Sequence, residues 1–152
     1  MAKLIMLIGI PGSGKTTYSK ELSVKYNAKV ISSDKVRQTY IGIEESQVFP
    51  TVYQLCAEEL KKECNVILDA THITPKVRKR TFDSLEQYNI DYEKIAFYFD
   101  TPVDVCLKRV SLRNQDPEEL YLPLEVIESY GKNIIVPTKE EGFSEIFIIK
   151  SE

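Results

Sequence analysis

The sequence has little of what a disulfide framework or a bound zinc ion requires. It contains three cysteines and one histidine in 152 residues. Cys56, Cys64 and Cys106 form no CxxC pair, and such an odd, scattered count is typical of a reducing compartment. We therefore expect these cysteines to fill the hydrophobic core. The single histidine, His72, has no cysteine or histidine partner at ligand spacing, so we expect no metal there.

Long hydrophobic runs and an excess of positive charge are also absent. The apolar run near the N-terminus, residues 4–8, is far shorter than the ~20 residues that a transmembrane helix needs, and it leads into glycines rather than a cleavage site. The 20 basic and 23 acidic residues give a formal net charge of −3. Any polyanion must therefore be held by a local patch. We expect a cytoplasmic protein with no membrane partner.

Composition and spacing predict a single domain over residues 1–152, because no repeat, low-complexity stretch or flexible linker divides the chain. Apolar runs alternate with amphipathic stretches, which is typical of an α/β fold on a parallel sheet. The acidic, proline-containing segment 114–123 is predicted to belong to a lid at about 109–123. We predict strands at 4–8, 28–31, 66–68, 95–99 and 146–149, and helices at about 15–26, 34–41, 47–63, 75–88, 102–113 and 123–133.

The first predicted strand is followed by a glycine-rich segment that matches GxxxxGK[ST] at every fixed position, Gly9-Ile10-Pro11-Gly12-Ser13-Gly14-Lys15-Thr16. Such a P-loop lets backbone amides and the next helix N-terminus converge on phosphate oxygens. Lys15 is expected to bridge the β- and γ-phosphates, and the Thr16 hydroxyl to bind Mg²⁺. The alternative is a glycine-rich turn with no ligand. We predict that ATP is bound by Gly9, Pro11, Gly12, Ser13, Gly14, Lys15, Thr16 and Thr17.

Two carboxylates follow predicted strands and should therefore meet at the same edge of the sheet as the P-loop. Asp69 ends the strand at 66–68 and is expected to hold Mg²⁺ together with Thr16, although it could instead cap a turn. Asp34 could be a helix N-cap, or it could accept a proton from a substrate hydroxyl. Arg37, three residues further along a helix, would then face the same site and bind a phosphate.

Two arginines, Arg109 and Arg113, are spaced i, i+4 near the end of the fifth predicted helix. They project from one helix face, where they could stabilise the charge that develops on a transferred phosphoryl group. Alternatively, they only offset the helix dipole.

A basic segment, residues 76–80, follows the Asp69 strand. Lys76, Lys79 and Arg80 share one helix face, with Arg78 beside them. Such a run is usually a solvated face, but it could also hold an acidic substrate. His72, directly after the strand end, could contact the substrate.

The order of these motifs resembles that of the small P-loop kinases grouped with phage-type and bacterial polynucleotide 5′-hydroxyl kinases. The matching segments are 9–17 (GIPGSGKTT), 33–37 (SDKVR), 69–71 (DAT), 76–80, the arginines at 109 and 113 with Asn114, and 137–143 (PTKEEGF). The resemblance implies a P-loop NTPase three-layer sandwich, with a five-stranded parallel sheet flanked by helices and a short helical lid. Relatives often carry asparagine where this chain has His72.

The resemblance also implies roles for individual residues. Asp34 would be the general base on an acceptor 5′-hydroxyl, and Arg37 would bind the neighbouring phosphate of that acceptor. Arg109 and Arg113 would contact ATP, with Arg113 closing over the transferred phosphoryl group. We therefore predict an ATP- and Mg²⁺-dependent kinase with Lys15, Asp34 and Arg113 as catalytic residues.

The acceptor that we expect is the 5′-hydroxyl end of DNA or RNA, because Arg37 offers a phosphate contact that a neutral metabolite does not need. One alternative is a small-molecule kinase of the same fold that acts on a nucleoside, sugar or antibiotic. Another is a non-kinase module that binds or hydrolyses ATP to regulate a partner.

Overall fold

The centre of the fold is a parallel β-sheet, as the sequence predicts. The computed structural model describes residues 1–150, and within them the sheet has five strands in the order β2-β3-β1-β4-β5, with every neighbouring pair parallel. Because β1 lies between β3 and β4, the loop that follows β1 emerges beside the carboxyl ends of both neighbours. The strands are β1 (Ala2–Ile8), β2 (Ala28–Ser32), β3 (Asn65–Asp69), β4 (Tyr92–Asp100) and β5 (Glu145–Lys150).

Helices connect the strands and cover both faces of the sheet. Within residues 1–150, no helix has both the length and the apolar composition needed to cross a membrane. The helices are α1 (Lys15–Tyr26), α2 (Ser33–Thr39), α3 (Glu45–Lys61), α4 (Pro75–Glu86), α5 (Val103–Arg113) and α6 (Leu124–Asn133), and a short 3₁₀ turn, Lys139–Glu141, precedes β5.

The three-layer arrangement follows from the alternation of side chains along β1. Met6 packs into a core cluster with Val52 of α3, whereas the next residue, Leu7, packs with Leu22 of α1. Successive strand residues point to opposite faces of a sheet, so β1 is buried on both. A solid apolar run is therefore the pattern that this central strand requires, and the predicted α/β sandwich is confirmed.

The third predicted helix extends too far at its C-terminus. α3 ends at Lys61, because Glu63 adopts a left-handed φ of 62° and the amide of Cys64 donates to the carbonyl of Glu59 at 3.0 Å. Cys64 therefore lies exposed in the turn, and the expectation that it fills the core is wrong. The two other cysteines are buried as predicted.

Candidate active site

The glycine-rich loop joins the buried end of β1 to the first turn of α1. Gly12 has a φ of +84°, and a Cβ at this position would lie 2.8 Å from the carbonyl oxygen of Cys106 in α5. Glycine is thus required both by the backbone conformation and by the close approach of α5. Gly14, the N-cap of α1, supplies no side-chain cap, so the amides of the first turn remain available to an anion.

The loop also contains polar groups that a phosphate would satisfy. The Ser13 hydroxyl is buried and has no hydrogen-bond partner within residues 1–150, and a buried polar atom of this kind is costly unless a ligand pairs with it. The carbonyl of the same residue accepts a hydrogen bond from Thr101 at 2.9 Å, which ties the loop to the end of β4. The predicted ATP-binding residues of segment 9–17 lie in this loop or in the first turn of α1, whereas the other two, Arg109 and Arg113, lie in α5.

Lys15 is held beneath the loop and is only 7% exposed. Its Nζ donates to the carbonyls of Gly9 at 2.8 Å and Ile10 at 3.1 Å. Burial lowers the pKa of the lysine to about 8, while the charges of Asp69 and Asp34 oppose that shift. The ammonium group is therefore poorly solvated. It lies against the loop that would bind the phosphates of a nucleotide.

Thr16 and Asp69 bring two side-chain oxygen atoms together at the carboxyl end of β3. The threonine hydroxyl donates to a carboxylate oxygen of Asp69 at 3.1 Å. Burial raises the pKa of Asp69, whereas Lys15 and the hydrogen bond from Thr16 lower it. Mg²⁺ usually takes one or two protein oxygens and completes its octahedron with phosphates and water, so this donor set fits Mg²⁺. Thr17 follows on the exposed side of α1.

Asp34 lies in the first turn of α2, and its carboxylate is accessible. The N-cap of α2 is Ser32, whose hydroxyl accepts from the amide of Lys35 at 2.9 Å, so Asp34 is not the cap. Its side chain is 64% exposed. Although burial dominates the pKa values of Lys15 and Asp69, the charge of Asp34 raises both. The charge of Asp34 is therefore felt at both of these groups, at the same edge of the sheet.

Arg37 is paired with two carboxylates. Its Nη1 donates to Asp34 at 3.0 Å, and its Nε and Nη2 donate to one oxygen of Glu45 at 3.0 and 2.5 Å. The hydrogen bond to Glu45 is the main cause of the raised pKa of Arg37, and the same bond lowers the pKa of Glu45. Sequence reasoning missed Glu45 because the eight-residue separation carries no periodic signal.

The two arginines of α5 lie beside the P-loop. Arg109 Nη1 donates to the Gly12 carbonyl at 3.1 Å, and the charge of Arg113 contributes to lowering the pKa of Lys15, after the larger effect of burial. The segment that follows α5 is closed by Asn114, whose amide nitrogen donates to the Leu122 carbonyl at 2.7 Å and whose amide oxygen accepts from the Leu122 amide at 2.9 Å.

His72 is not placed where an acceptor could contact it. The side chain is 2% exposed, and its Nδ1 lies 2.9 Å from the Leu7 carbonyl. Burial lowers the pKa of the imidazole to about 4. The predicted substrate contact therefore needs correction: the ring packs under the strand ends and supports the backbone.

Arg78 does not belong to the basic surface of α4. It is fully buried, with Nε and Nη2 donating to Glu141 at 2.7 and 3.2 Å and Nη1 donating to the His72 carbonyl at 2.8 Å. This ion pair links α4 to the 3₁₀ turn before β5. The other basic residues of segment 76–80, Lys76, Lys79 and Arg80, lie on the outer surface of α4. They line a shallow depression there with Asp83, Ser84 and Gln87.

The fold and the loop together define a P-loop nucleotide-binding protein. The P-loop between β1 and α1, the buried Lys15 and the contact between Thr16 and Asp69 all lie at the carboxyl edge of a parallel sheet. The chain belongs to the AAA_33 family, whose model is described as an AAA domain and matches residues 4–136.

Two curated relatives of this chain are kinases. The L-seryl-tRNA(Sec) kinase of Methanococcus maripaludis is 27% identical over 142 residues, which are 88% of this chain and 53% of that protein. The bifunctional polynucleotide phosphatase/kinase of Schizosaccharomyces pombe is 24% identical over 144 residues, which are 95% of this chain and 32% of that protein. The chain thus spans about half and about a third of the length of these two relatives.

A solved structure shares the fold. Chaetomium thermophilum Kti12 in complex with ADP-AlF3 superposes with a TM-score of 0.75 at 18% identity, and the match covers 98% of this chain and 89% of Kti12. The family model and the fold thus establish a P-loop domain, and the two curated relatives that this domain matches are kinases.

Proposed function

We propose that the protein transfers the γ-phosphoryl group of ATP to a hydroxyl acceptor, and that this acceptor is the 5′-hydroxyl end of a polynucleotide. The observation that carries the proposal is the contact of 3.0 Å between Asp34 and Arg37 on α2. The pair joins a proton acceptor to a phosphate-binding cation, at the sheet edge that also holds the P-loop. The polynucleotide phosphatase/kinase relative supports the same choice of acceptor.

The nucleotide side of the reaction uses residues that the fold has already brought together. Lys15 releases the carbonyls of Gly9 and Ile10 and binds the β- and γ-phosphates. The negative charge of the phosphates then stabilises its ammonium group. Thr16 and Asp69 would hold Mg²⁺, which would neutralise phosphate charge. The amides at the start of α1 and the Ser13 hydroxyl complete the cradle.

Asp34 acts on the acceptor. Its carboxylate accepts the proton of the acceptor hydroxyl as that oxygen bonds to the γ-phosphorus and the bond from phosphorus to the leaving ADP oxygen breaks. Arg37 binds the phosphate that joins the terminal nucleotide to its neighbour, which places the terminal hydroxyl near Asp34.

The α5 arginines act on the transferred group. Arg109 is already anchored at the P-loop, and Arg113 supplies positive charge near Lys15. The charge on the phosphoryl oxygens spreads in the transition state, so Arg113 contributes most at that point. We further propose that residues 109–123 form the lid of a single kinase domain, and that the protein works in the cytoplasm.

A second candidate is a small-molecule kinase acting on a nucleoside, a sugar or an antibiotic. One observation favours it: Glu45 and Asp34 already pair with the charge of Arg37, as an acceptor without a phosphate would allow. The polynucleotide reading requires that an acceptor phosphate displaces one of these carboxylates.

The acceptor is tested with γ-labelled ATP offered alongside 5′-hydroxyl oligonucleotides, nucleosides and sugars. We expect label on the 5′-hydroxyl oligonucleotide and none on its 5′-phosphorylated counterpart. Label on a monomeric acceptor alone would reject the polynucleotide proposal.

The role of Asp34 is tested by Asp34→Asn, which keeps the shape and removes the base. We expect kcat to fall about 10²- to 10⁴-fold, with ATP binding unchanged. Asp91→Asn is the matched control, since Asp91 is an exposed carboxylate before β4, at the opposite edge of the sheet. Transfer by Asp34→Asn at the wild-type rate would show that Asp34 is not the base.

A further inference from the structure

We propose that Glu45 determines acceptor specificity: its carboxylate occupies the edge of Arg37 that an acceptor phosphate would use, and only an acceptor bearing phosphate displaces it. This inference rests on the proposed function and names a specificity residue at the same site. Glu45 is the first residue of α3, and no sequence motif includes it.

The geometry of Arg37 makes the competition direct. A guanidinium binds phosphate most strongly through two parallel N–H groups on one edge. The Nε and Nη2 of Arg37 form such an edge, and both donate to a single oxygen of Glu45, at 3.0 and 2.5 Å. Asp34 is bound through Nη1, at 3.0 Å. An incoming phosphate can therefore replace Glu45 while the contact between Arg37 and Asp34 stays in place.

The surroundings of Glu45 make it easy to displace. Its side chain is 73% exposed, so the released carboxylate is solvated by water at once. Although Ile43 anchors the connection from α2 to α3 to the core, displacement requires only that the exposed side chain of Glu45 rotates away from Arg37. An exposed ion pair of this kind contributes little to stability, so a bidentate phosphate contact can replace it.

The consequence is discrimination between acceptors. A nucleoside or a sugar offers nothing that competes with Glu45, and it meets an arginine that is already neutralised. A 5′-hydroxyl nucleotide with an adjoining phosphate gains the Arg37 contact but must first remove Glu45. The Glu45 carboxylate thereby lowers the affinity for phosphate-bearing acceptors and does not change the affinity for neutral acceptors. It does not affect the binding of ATP, which binds at the P-loop.

The test compares wild type, Glu45→Gln and Glu44→Gln. Glu44 is the adjacent exposed carboxylate, and it makes no side-chain cap bond at the start of α3, so its variant removes the same charge without freeing Arg37. We expect Glu45→Gln to lower KM for a 5′-hydroxyl oligonucleotide about two- to fivefold, the range that the loss of one exposed ion pair allows. The kcat value and the KM for ATP should not change, and Glu44→Gln should match wild type.

A binding measurement separates this inference from the proposed function. The protein is saturated with ADP to fill the P-loop, and the Arg37 Nε–H signal is followed by NMR during titration with a 5′-hydroxyl dinucleotide. A several-fold lower Kd for Glu45→Gln supports the inference even if no phosphoryl transfer occurs. An unchanged or higher Kd overturns it even if transfer is efficient, because Glu45 would then position Arg37 rather than compete for it.

Discussion

At the scale of single residues, the site contains ionisable groups in surroundings that a stable core normally avoids. Lys15 is buried against two backbone carbonyls, and its lowered pKa of about 8 reflects the loss of solvation. Asp69 is buried too, and burial raises its pKa. The two charges compensate each other only in part, and a bound phosphate and metal ion would add further partners, so ligand binding should stabilise the folded protein.

A pH-dependent contribution to stability is expected from His72. Its folded pKa of about 4 lies below the ordinary value of 6.5 because the ring is buried. Between these values the unfolded chain binds a proton that the folded protein does not, so the contribution is complete above pH 6.5 and is lost as pH falls to 4. Relative to a variant without this group, we expect wild type to lose about 3 kcal/mol of unfolding free energy between pH 7 and pH 4.

The comparison variant for this measurement is His72→Asn. The backbone φ at this position is +47°, a conformation that asparagine tolerates, and the asparagine amide can donate to the Leu7 carbonyl but cannot titrate. Urea unfolding of both proteins at pH 7 and pH 4 gives the difference, in which the titration of all other groups cancels. A difference that stays constant across this range would show that His72 is not buried as a neutral ring.

Individual site residues could be predicted where a motif specifies them. Lys15, Thr16 and Asp69 follow from the P-loop and the strand end, and the structure brings them together. Arg78 could not be assigned in this way, because a basic run on a helix gives no sign that one member turns inward. Its carboxylate partner, Glu141, lies 63 residues away, and only tertiary packing joins them.

At the scale of elements, the order and type of the predicted strands and helices are confirmed, and the differences are at the ends. The predicted third helix ran on because its amphipathic pattern continues into a turn, where a left-handed Glu63 ends the helix. Sequence patterns also did not predict the approach of α5 to Gly12, although that contact places Arg109 at the P-loop. Periodicity shows which face of an element is buried, but not what packs against it.

The contact between α5 and α6 depends on a small residue in α6. A Cβ added at Gly131 would lie 2.5 Å from a γ-carbon of Val103, and a β-branched side chain in a helix cannot rotate away easily. We expect Gly131→Ala to destabilise the protein by about 1 kcal/mol, because overpacking costs about 1–3 kcal/mol and helix propensity returns about 1 kcal/mol. Thermal or urea unfolding measures the change.

The matched control is a double-mutant cycle with Val103→Ala. Removing the γ-carbons makes room for the new methyl group. The loss of unfolding free energy in the double variant should therefore be smaller, by about 1 kcal/mol or more, than the sum of the losses in the two single variants. If the changes in unfolding free energy are additive, the two helices can move apart at this contact without cost. The close packing of Gly131 and Val103 would then not constrain the position of α5.

At the scale of the whole molecule, several basic residues of the segments predicted to bind an acceptor are already paired with carboxylates. Arg37 is paired with Asp34 and Glu45, and Lys79 is paired with Asp83 at 2.8 Å. Arg78 is paired inside the fold. With these residues paired, we expect the proposed acceptor to be bound mainly at its end, through Arg37, rather than along its length.

This distribution of charge predicts a shallow salt dependence for acceptor binding. Each phosphate neutralised on a single strand contributes about 0.7 to the slope of log K against log salt. With Arg37 as the main contact, we expect a slope of about −0.7 to −1.5 for a 5′-hydroxyl oligonucleotide bound to the ADP-saturated protein, measured by fluorescence anisotropy over a range of KCl concentrations. Arg37→Gln should reduce the slope by about 0.7, whereas Lys76→Gln should leave it nearly unchanged if the α4 surface is only a solvated face. A slope near −4, equivalent to about six phosphates, would contradict end-on binding and point to a longer contact with the strand.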